Sequence, residues 1–217
     1  MNENTLEITV KLKNTSPLIL STGESDSSYV DNQMAFDAFG FPFFSARRFK
    51  GLVVESAKEV KTMMDLAEFE DIPTVESVFG TPKNESVCLF SDLNIHNYDM
   101  NKEYMLWLSQ ESDGGINREF VIDAISSVRQ QTAINQDGVS KDNSLRTIRV
   151  LNPGFTFKGI VEINLKKAPK NTETLLILAL KNLHHVGLNR TRGFGDIECQ
   201  VEKNLTDKVF DLIKPEV

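Results

Sequence analysis

An α+β fold in the order β-α-β-β-α-β, opened once by a long insertion, is what this sequence predicts, and three observations predict it. Four segments alternate apolar and polar residues with the period of a half-buried strand. One other carries the 3.6-residue spacing of a helix, and another is a nearly all-apolar run bounded by helix-cap residues. Between the second and third strands lies a polar, turn-rich stretch too long for a simple connection.

The first strand is LEITVKL, in which Leu6, Ile8, Val10 and Leu12 alternate with Glu7, Thr9 and Lys11. After a loop, SARRFKGLVVESAKEVKTMM puts Phe49, Leu52, Val53, Ala57, Val60 and Met64 on one helical face, with Ser45 as the N-cap. SVCLFSDLNIH reads as a second strand through Val87, Leu89, Leu93 and Ile95, and GFTFKGIVEINL as a third through Phe155, Phe157, Val161, Ile163 and Leu165. NTETLLILALKNLHHVG opens with Asn171 and Thr172 after Pro169 and predicts a nearly all-apolar helix that runs to Gly187 as its C′ residue. Ile197, Cys199 and Val201 make the last strand. This order is ferredoxin-like (RRM-like), with a core over about residues 5–96 and 154–203 and an insertion over about 97–153. Within the insertion, NKEYMLWLSQ and NREFVIDAISSV predict short helices, and RQQTAINQDGVSKDNSLRTIRVLNPG predicts an extended basic hairpin arm.

A chain of 217 residues, 40% of them hydrophobic, is long enough to bury a sizeable core. No run approaches the roughly 18 apolar residues of a membrane helix, and MNENTLEITV enters its strand without a basic and then apolar leader, so a cytoplasmic location is expected. Cys88 and Cys199 sit on separate alternating segments without Cys or His partners at metal-ligand spacing; they are expected to be small buried hydrophobes, with neither a zinc site nor a disulfide. The net charge of −7 argues against a free-standing nucleic-acid binder. Its distribution is uneven, however: from Glu55 to Glu76 seven acids face two lysines, whereas from Val128 to Lys167 seven basic residues face three acids. Separate acidic and basic surfaces are therefore expected.

Three stretches break local rules, which tends to mark function. Arg47 and Arg48 occupy the opening turn of the first helix, where the positive end of the helix dipole disfavours cations; with Lys50 they would make a phosphate cradle, or else pair with acids such as Glu24 or Asp26. GLNRTRGFGDIEC packs Gly187, Gly193 and Gly195 around Arg190 and Arg192; a cap and a turn explain some of these glycines but not the paired arginines. STGESDSSYVDNQMAFDAFGFP holds Glu24, Asp26, Asp31 and Asp37, which are either solvated turn formers or candidates for a metal or a general base.

Taken together, SPLILSTGES, DNQMAFDAFGFPFFSARRFKG, ESVFGTPKNESVCLFSD, QQTAINQDGVSKDNSLRTIRVLNPGFTFKG and GLNRTRGFGD, in this order and over nearly the whole chain, resemble the RAMP superfamily, the RNA-binding subunits of type III CRISPR effector complexes. The resemblance implies one domain over 1–217 that stacks along the CRISPR RNA in an antiviral interference complex. Its implied partners are complementary target RNA, other RAMP subunits and a large effector subunit, with no membrane. It maps guide-backbone contacts to Arg47, Arg48, Lys50 and Gly51, and a guide-supporting glycine-rich loop to Gly187, Asn189, Arg190, Arg192, Gly193 and Gly195. The inserted arm is similar to the family's thumb, with Arg129, Gln131, Thr132, Lys141, Arg146 and Arg149 as its polar contacts. By spacing ahead of Lys50–Gly51, Asp31 matches the aspartate with which some such subunits cut target RNA, assisted by a divalent cation (Mg or Mn) held at Asp31, and Asp37 matches a structural position. Two alternatives stand beside this: a non-catalytic structural subunit, and a CRISPR RNA-processing endoribonuclease, for which His96, His184 and His185 are the available bases and for which buried or capping roles suit the last two better.

Overall fold

The computed structural model describes residues 4–20, 35–69, 71–111, 116–132, 135, 137–139, 144–189, 192–202, 205–207 and 209. Strand β1 (Thr5–Asn14) alternates as expected, with Ile8, Val10 and Leu12 fully buried. A two-residue strand β2 (Phe43–Phe44) leads into helix α1 (Ala46–Leu66), which buries Phe49, Leu52, Val53, Ser56, Ala57 and Val60 at helical spacing. Next come α2 (Val75–Phe79), β3 (Cys88–Phe90) and β4 (Leu93–Ile95). The insertion consists of α3 (Tyr98–Glu111), α4 (Arg118–Ile125) and an antiparallel hairpin of β5 (Ser126–Gln131) with β6 (Arg146–Leu151). The chain ends its core with β7 (Thr156–Asn164), α5 (Thr172–Lys181) and β8 (Ile197–Val201).

The main sheet runs β2-β4-β7-β1-β8, with β3 also on β7, and each of its pairings is antiparallel. Helices α1 and α5 cover one face, where they share a single apolar cluster with the inward residues of β1 and β7. Two edge-to-face ring pairs stiffen this core: Phe49 of α1 on Phe90 of β3 at 5.5 Å ties helix to sheet, and Phe44 of β2 packs on Phe157 of β7 at 4.9 Å within the sheet. Ser56 Oγ donates to the Ala179 carbonyl (2.7 Å) and so locks α1 to α5. No helix among the described residues is long and apolar enough to cross a membrane.

Three local expectations are corrected. The second strand is two strands: β3 pairs with β7 in one register (Phe90 with Val161) and β4 in a register shifted by one (Asn94 with Lys158), so an extra residue bulges at Ser91–Asp92. The bulge flips the alternation, which leaves Leu89 exposed and buries Cys88, Phe90 and Leu93. Gly159 of β7 is what lets it pass, because a Cβ there would lie 2.4 Å from Leu93 and 2.7 Å from the Asp92 carbonyl. Second, Ser45 occupies the N-cap position of α1, but its side chain makes no capping bond; the Ala46 N–H donates instead to Asp92 Oδ1 (2.6 Å), delivered by the bulge. Third, α5 stops at Lys181 rather than near Gly187, because residues 184–186 turn to pair with 195–197 through Ile197 N–H to His184 O (2.9 Å) and Val186 N–H to Gly195 O (2.8 Å). His184 and His185 are accordingly exposed and lie outside the helix.

Two polar side chains, Asn14 and the half-buried Asp37, hold the connections. Asn14, with no exposed surface, accepts from Phe155 N–H (2.8 Å) and donates to Ser16 O and Asn152 O (both 3.0 Å). Asp37 Oδ1 accepts from the N–H groups of Phe39 (2.9 Å) and Phe41 (2.8 Å), and its Oδ2 accepts from Tyr98 Oη (2.7 Å). Burial first, and then the bond to Asp37, push the Tyr98 hydroxyl from about 10 up to about 12. Burial likewise pushes the Cys88 and Cys199 thiols to about 12, and both are free cysteines.

Asn14→Ala would strand three backbone groups and is expected to cost about 2–4 kcal/mol, read as a lowered urea midpoint with unchanged slope. The raised Tyr98 pKa makes its contribution to stability complete below pH 10 and lost as the pH climbs towards 12. Tyr98→Phe should therefore cost about 1 kcal/mol at neutral pH and show a smaller further loss across that alkaline window, measured by denaturation at stepped pH.

Candidate nucleic-acid interface

Topology decides which loops meet. Because β1 runs antiparallel to both β7 and β8, the end of β1 lies beside the starts of those two strands. The hairpin precedes β7 and the glycine-rich loop precedes β8, so both are delivered to the same end of the sheet, where the segment after β1 also emerges. That segment binds the other two. Leu18 exchanges backbone bonds with Leu151 of β6 (3.0 and 2.8 Å), Gly195 N–H donates to Pro17 O (2.9 Å), and Leu188 N–H donates to Ile19 O (3.2 Å). A small satellite core of Ile19, Ile148, Val150 and Phe194 seals the junction.

The side chains expected to bind RNA sort into three groups there. Arg129 lies over the Phe194 ring (5.5 Å to its centroid), and Asn189 Nδ2 donates to Gln131 Oε1 (3.5 Å), so strand β5 of the hairpin and the glycine-rich loop form one surface. Phe194 is the residue that sequence reasoning passed over; its place between two glycines is the signal. Arg146, Thr132 and Arg192 are exposed on this surface, with Thr132 bonded to Ser144 Oγ (2.8 Å). Arg149 is already engaged: its guanidinium donates to Asp123 (2.7 Å) and Ser126 Oγ (2.9 Å), which makes it a brace between α4 and the hairpin. Lys141, Arg190 and Asp31 lie outside the described residues. Leu20 and Ala35, which flank 21–34, are joined by a bond of 2.8 Å.

The loop glycines answer mainly to the protein's own backbone. A Cβ on Gly195 would sit 2.0 Å from the Val186 carbonyl oxygen, and one on Gly187 would sit 2.5 Å from that of Ile19. Gly193 (φ +75°) faces open space, as does Gly51 on α1. Gly187 is thus a turn residue over Ile19 and not a helix cap.

The start of α1 forms a second basic locus at the β4 side of the sheet. Arg47 is exposed and Arg48 and Lys50 are half-buried; among the described residues none of the three enters a salt bridge. Arg47, Lys50 and Gly51 line a groove of about 530 Å³ against the turn Gly80–Ser86. The first N–H of α1 is met by the Asp92 carboxylate, the sign of charge that this end of the helix dipole favours.

The described residues contain no group of three or more His, Cys, Asp or Glu able to hold a metal ion. Asp37 is taken up by its three donors, as a structural position requires. One pair beside the loop has the geometry of an oriented base: exposed His185 Nδ1 lies 2.8 Å from Asp196 Oδ1.

Comparison with solved structures places the fold. A chain of a type III-B Cmr-beta complex in the apo state, studied by cryo-electron microscopy, superposes with a TM-score of 0.64 at 16% identity, covering 92% of this chain and 98% of that one. A chain of the type III-B Cmr-beta complex bound to cognate target RNA superposes with a TM-score of 0.58 at 13% identity, over 92% of this chain; the present chain spans 60% of that one's length. No curated protein sequence matches. The RAMP superfamily model matches residues 11–198, a range that takes in the start of α1, the hairpin and the glycine-rich loop, and the chain belongs to the RAMP superfamily.

Proposed function

We propose that this chain is a CRISPR RNA-binding subunit of a type III effector complex, stacked along the guide with other RAMP subunits, a large effector subunit and complementary target RNA. Family membership supports the reading, as do the neighbours, which are chains of type III-B Cmr-beta complexes, one of them bound to cognate target RNA. The observation that carries it is the start of α1. Three cations there have no acidic partner among the described residues, and Gly51 leaves the helix surface bare beside them at a cost of about 1 kcal/mol relative to alanine. A phosphate backbone lying against the helix accounts for both the charge and the missing Cβ, and it binds without reading bases.

Target cleavage belongs to the same proposal through Asp31, whose carboxylate would assist at the scissile phosphate. The His185–Asp196 pair favours a second reading, in which the chain itself processes precursor RNA with His185 as the general base.

Gly51→Ala should stabilise the free protein by about 0.5–1 kcal/mol while weakening single-stranded RNA binding. Arg47→Gln with Lys50→Gln should flatten the plot of log affinity against log salt by about 1.4. An alanine at position 51 that leaves RNA affinity intact would remove the helix surface from the interface. Cleavage assays separate the catalytic readings: Asp31→Ala in the assembled complex is expected to abolish target cutting with guide binding retained, and cutting at the unsubstituted rate would make the subunit structural. Precursor cleavage by the isolated chain that His185→Ala abolishes would instead establish the processing reading.

A further inference from the structure

The face of the sheet turned away from α1 and α5 carries a row of donor side chains that none of the sites above uses. At one level across the strands, Lys11 of β1 stands opposite Gln200 of β8 on one side and Lys158 of β7 on the other, and Lys158 stands opposite Asn94 of β4. Their strand neighbours Val10, Leu12, Phe157 and Gly159 are buried towards the helices, so these four project the opposite way. Lys11, Lys158 and Gln200 are exposed and Asn94 is half-buried. The row is four strands wide, about 14 Å.

Two lysines directly opposite each other in an antiparallel pair repel, a cost that an anion held between them would offset. Among the described residues neither lysine enters an ion pair, and no carboxylate stands in the row. The acids on this face lie at other levels. Glu198 is opposite Lys13, and Glu7 is opposite Glu162, about 13 Å further along β1. The basic level is at the end of the sheet where the hairpin and the glycine-rich loop attach, since Asn14, three residues beyond Lys11, bonds the hairpin's return at Asn152. Beyond Asn94 the row opens on a cleft of about 520 Å³ lined by His96, Asn97, Tyr98 and Asp99 together with Lys158.

We propose that this row is a second RNA-backbone site, at which a single strand of RNA crosses the open face of the sheet. Its phosphates accept from the Lys11 and Lys158 ammonium groups and from the Gln200 and Asn94 amides. Lysine is depleted at the cores of protein–protein interfaces, and the row presents neither an aromatic nor an apolar side chain, so it suits a sugar–phosphate chain rather than a packed protein surface. With no aromatic platform it stacks no bases, and its contacts are neutral to sequence. The inference rests on the RNA-binding reading above and adds a face to it.

The test is RNA binding by the full chain, followed by fluorescence anisotropy with single-stranded oligoribonucleotides across a salt series. Lys11→Gln with Lys158→Gln is expected to flatten the salt dependence by about 1.4, equally for RNAs of unrelated sequence, while Lys166→Gln at the far end of β7 leaves it unchanged. The double variant should melt at the same temperature or higher, since it removes a repulsion, and bound RNA should shield Lys11 and Lys158 from amine acylation. RNA binding that depends on Arg47 and Lys50 but keeps its full slope in the double variant overturns this proposal alone. Absence of salt-dependent RNA binding by the unsubstituted chain overturns it together with the reading on which it rests. Loss of self-association in the double variant with the RNA slope intact assigns the face to protein contact and overturns it as well.

Discussion

Asn14 is a polar side chain with no exposed surface, and the geometry of the candidate interface depends on it. Its carbonyl oxygen and its amide are both bonded, to Phe155 on one side and to Ser16 and Asn152 on the other. Those partners belong to the start of β7, the segment after β1 and the return of the hairpin. An unsatisfied buried amide costs on the order of 1–3 kcal/mol per group, so a satisfied one admits very few arrangements of the three chains around it. The hairpin's return, the start of β7 and the segment leading towards Asp31 are therefore held in one relation by Asn14, and the glycine-rich loop joins them through Gly195 N–H to Pro17 O and Leu188 N–H to Ile19 O. No side-chain polar atom buried among the described residues is left without a partner, which keeps the junction from relaxing towards alternatives.

A comparable coupling joins the sheet to the second basic locus. The extra residue at Ser91–Asp92 shifts the register between β3 and β4 and carries a carboxylate to the first N–H of α1. Asp92 thus supplies the negative charge that the helix dipole favours, and Arg47, Arg48 and Lys50 are not required to be neutralised from within the protein. Gly159 underlies the arrangement from the neighbouring strand, because only a residue without a side chain lets the bulge pass at that distance. The helix start is oriented by strand pairing on β7, the strand into which the hairpin also leads.

Charge follows the same division of labour. The molecule is acidic overall, yet groups of basic side chains lie at the start of α1, on the hairpin and its neighbouring loop, and on one level of the open sheet face. A subunit that shares one RNA with its neighbours needs only local positive surface, and net negative charge elsewhere preserves solubility. The glycines of the loop contribute differently from what their flexibility suggests: Gly187 and Gly195 permit backbone to approach backbone within the protein, and Gly51 and Gly193 are the positions with space for something else.

Chain-local physics made much of this molecule readable. The alternation in β1, β7 and β8 and the helical spacing in α1 follow from a two-sided strand and a one-sided helix, and these patterns reside in adjacent residues. The hairpin arm was legible from its polar, turn-rich composition and length, although its first strand begins at Ser126, inside the segment expected to be helical, and the structural place of Asp37 came only from the family resemblance. Other features arise from pairs that are distant in the chain. The break at Ser91–Asp92 is visible only against β7, the early end of α5 only against residues 195–197, and the stacking of Arg129 on Phe194 only once the loop and the hairpin share a small core. Lys11 reads as the solvent side of an ordinary strand until register sets it against Lys158, some 147 positions away by the numbering. Periodicity specifies which side of an element faces inward; which residue stands opposite is set by register and bulges, and these depend on contacts that no local pattern encodes.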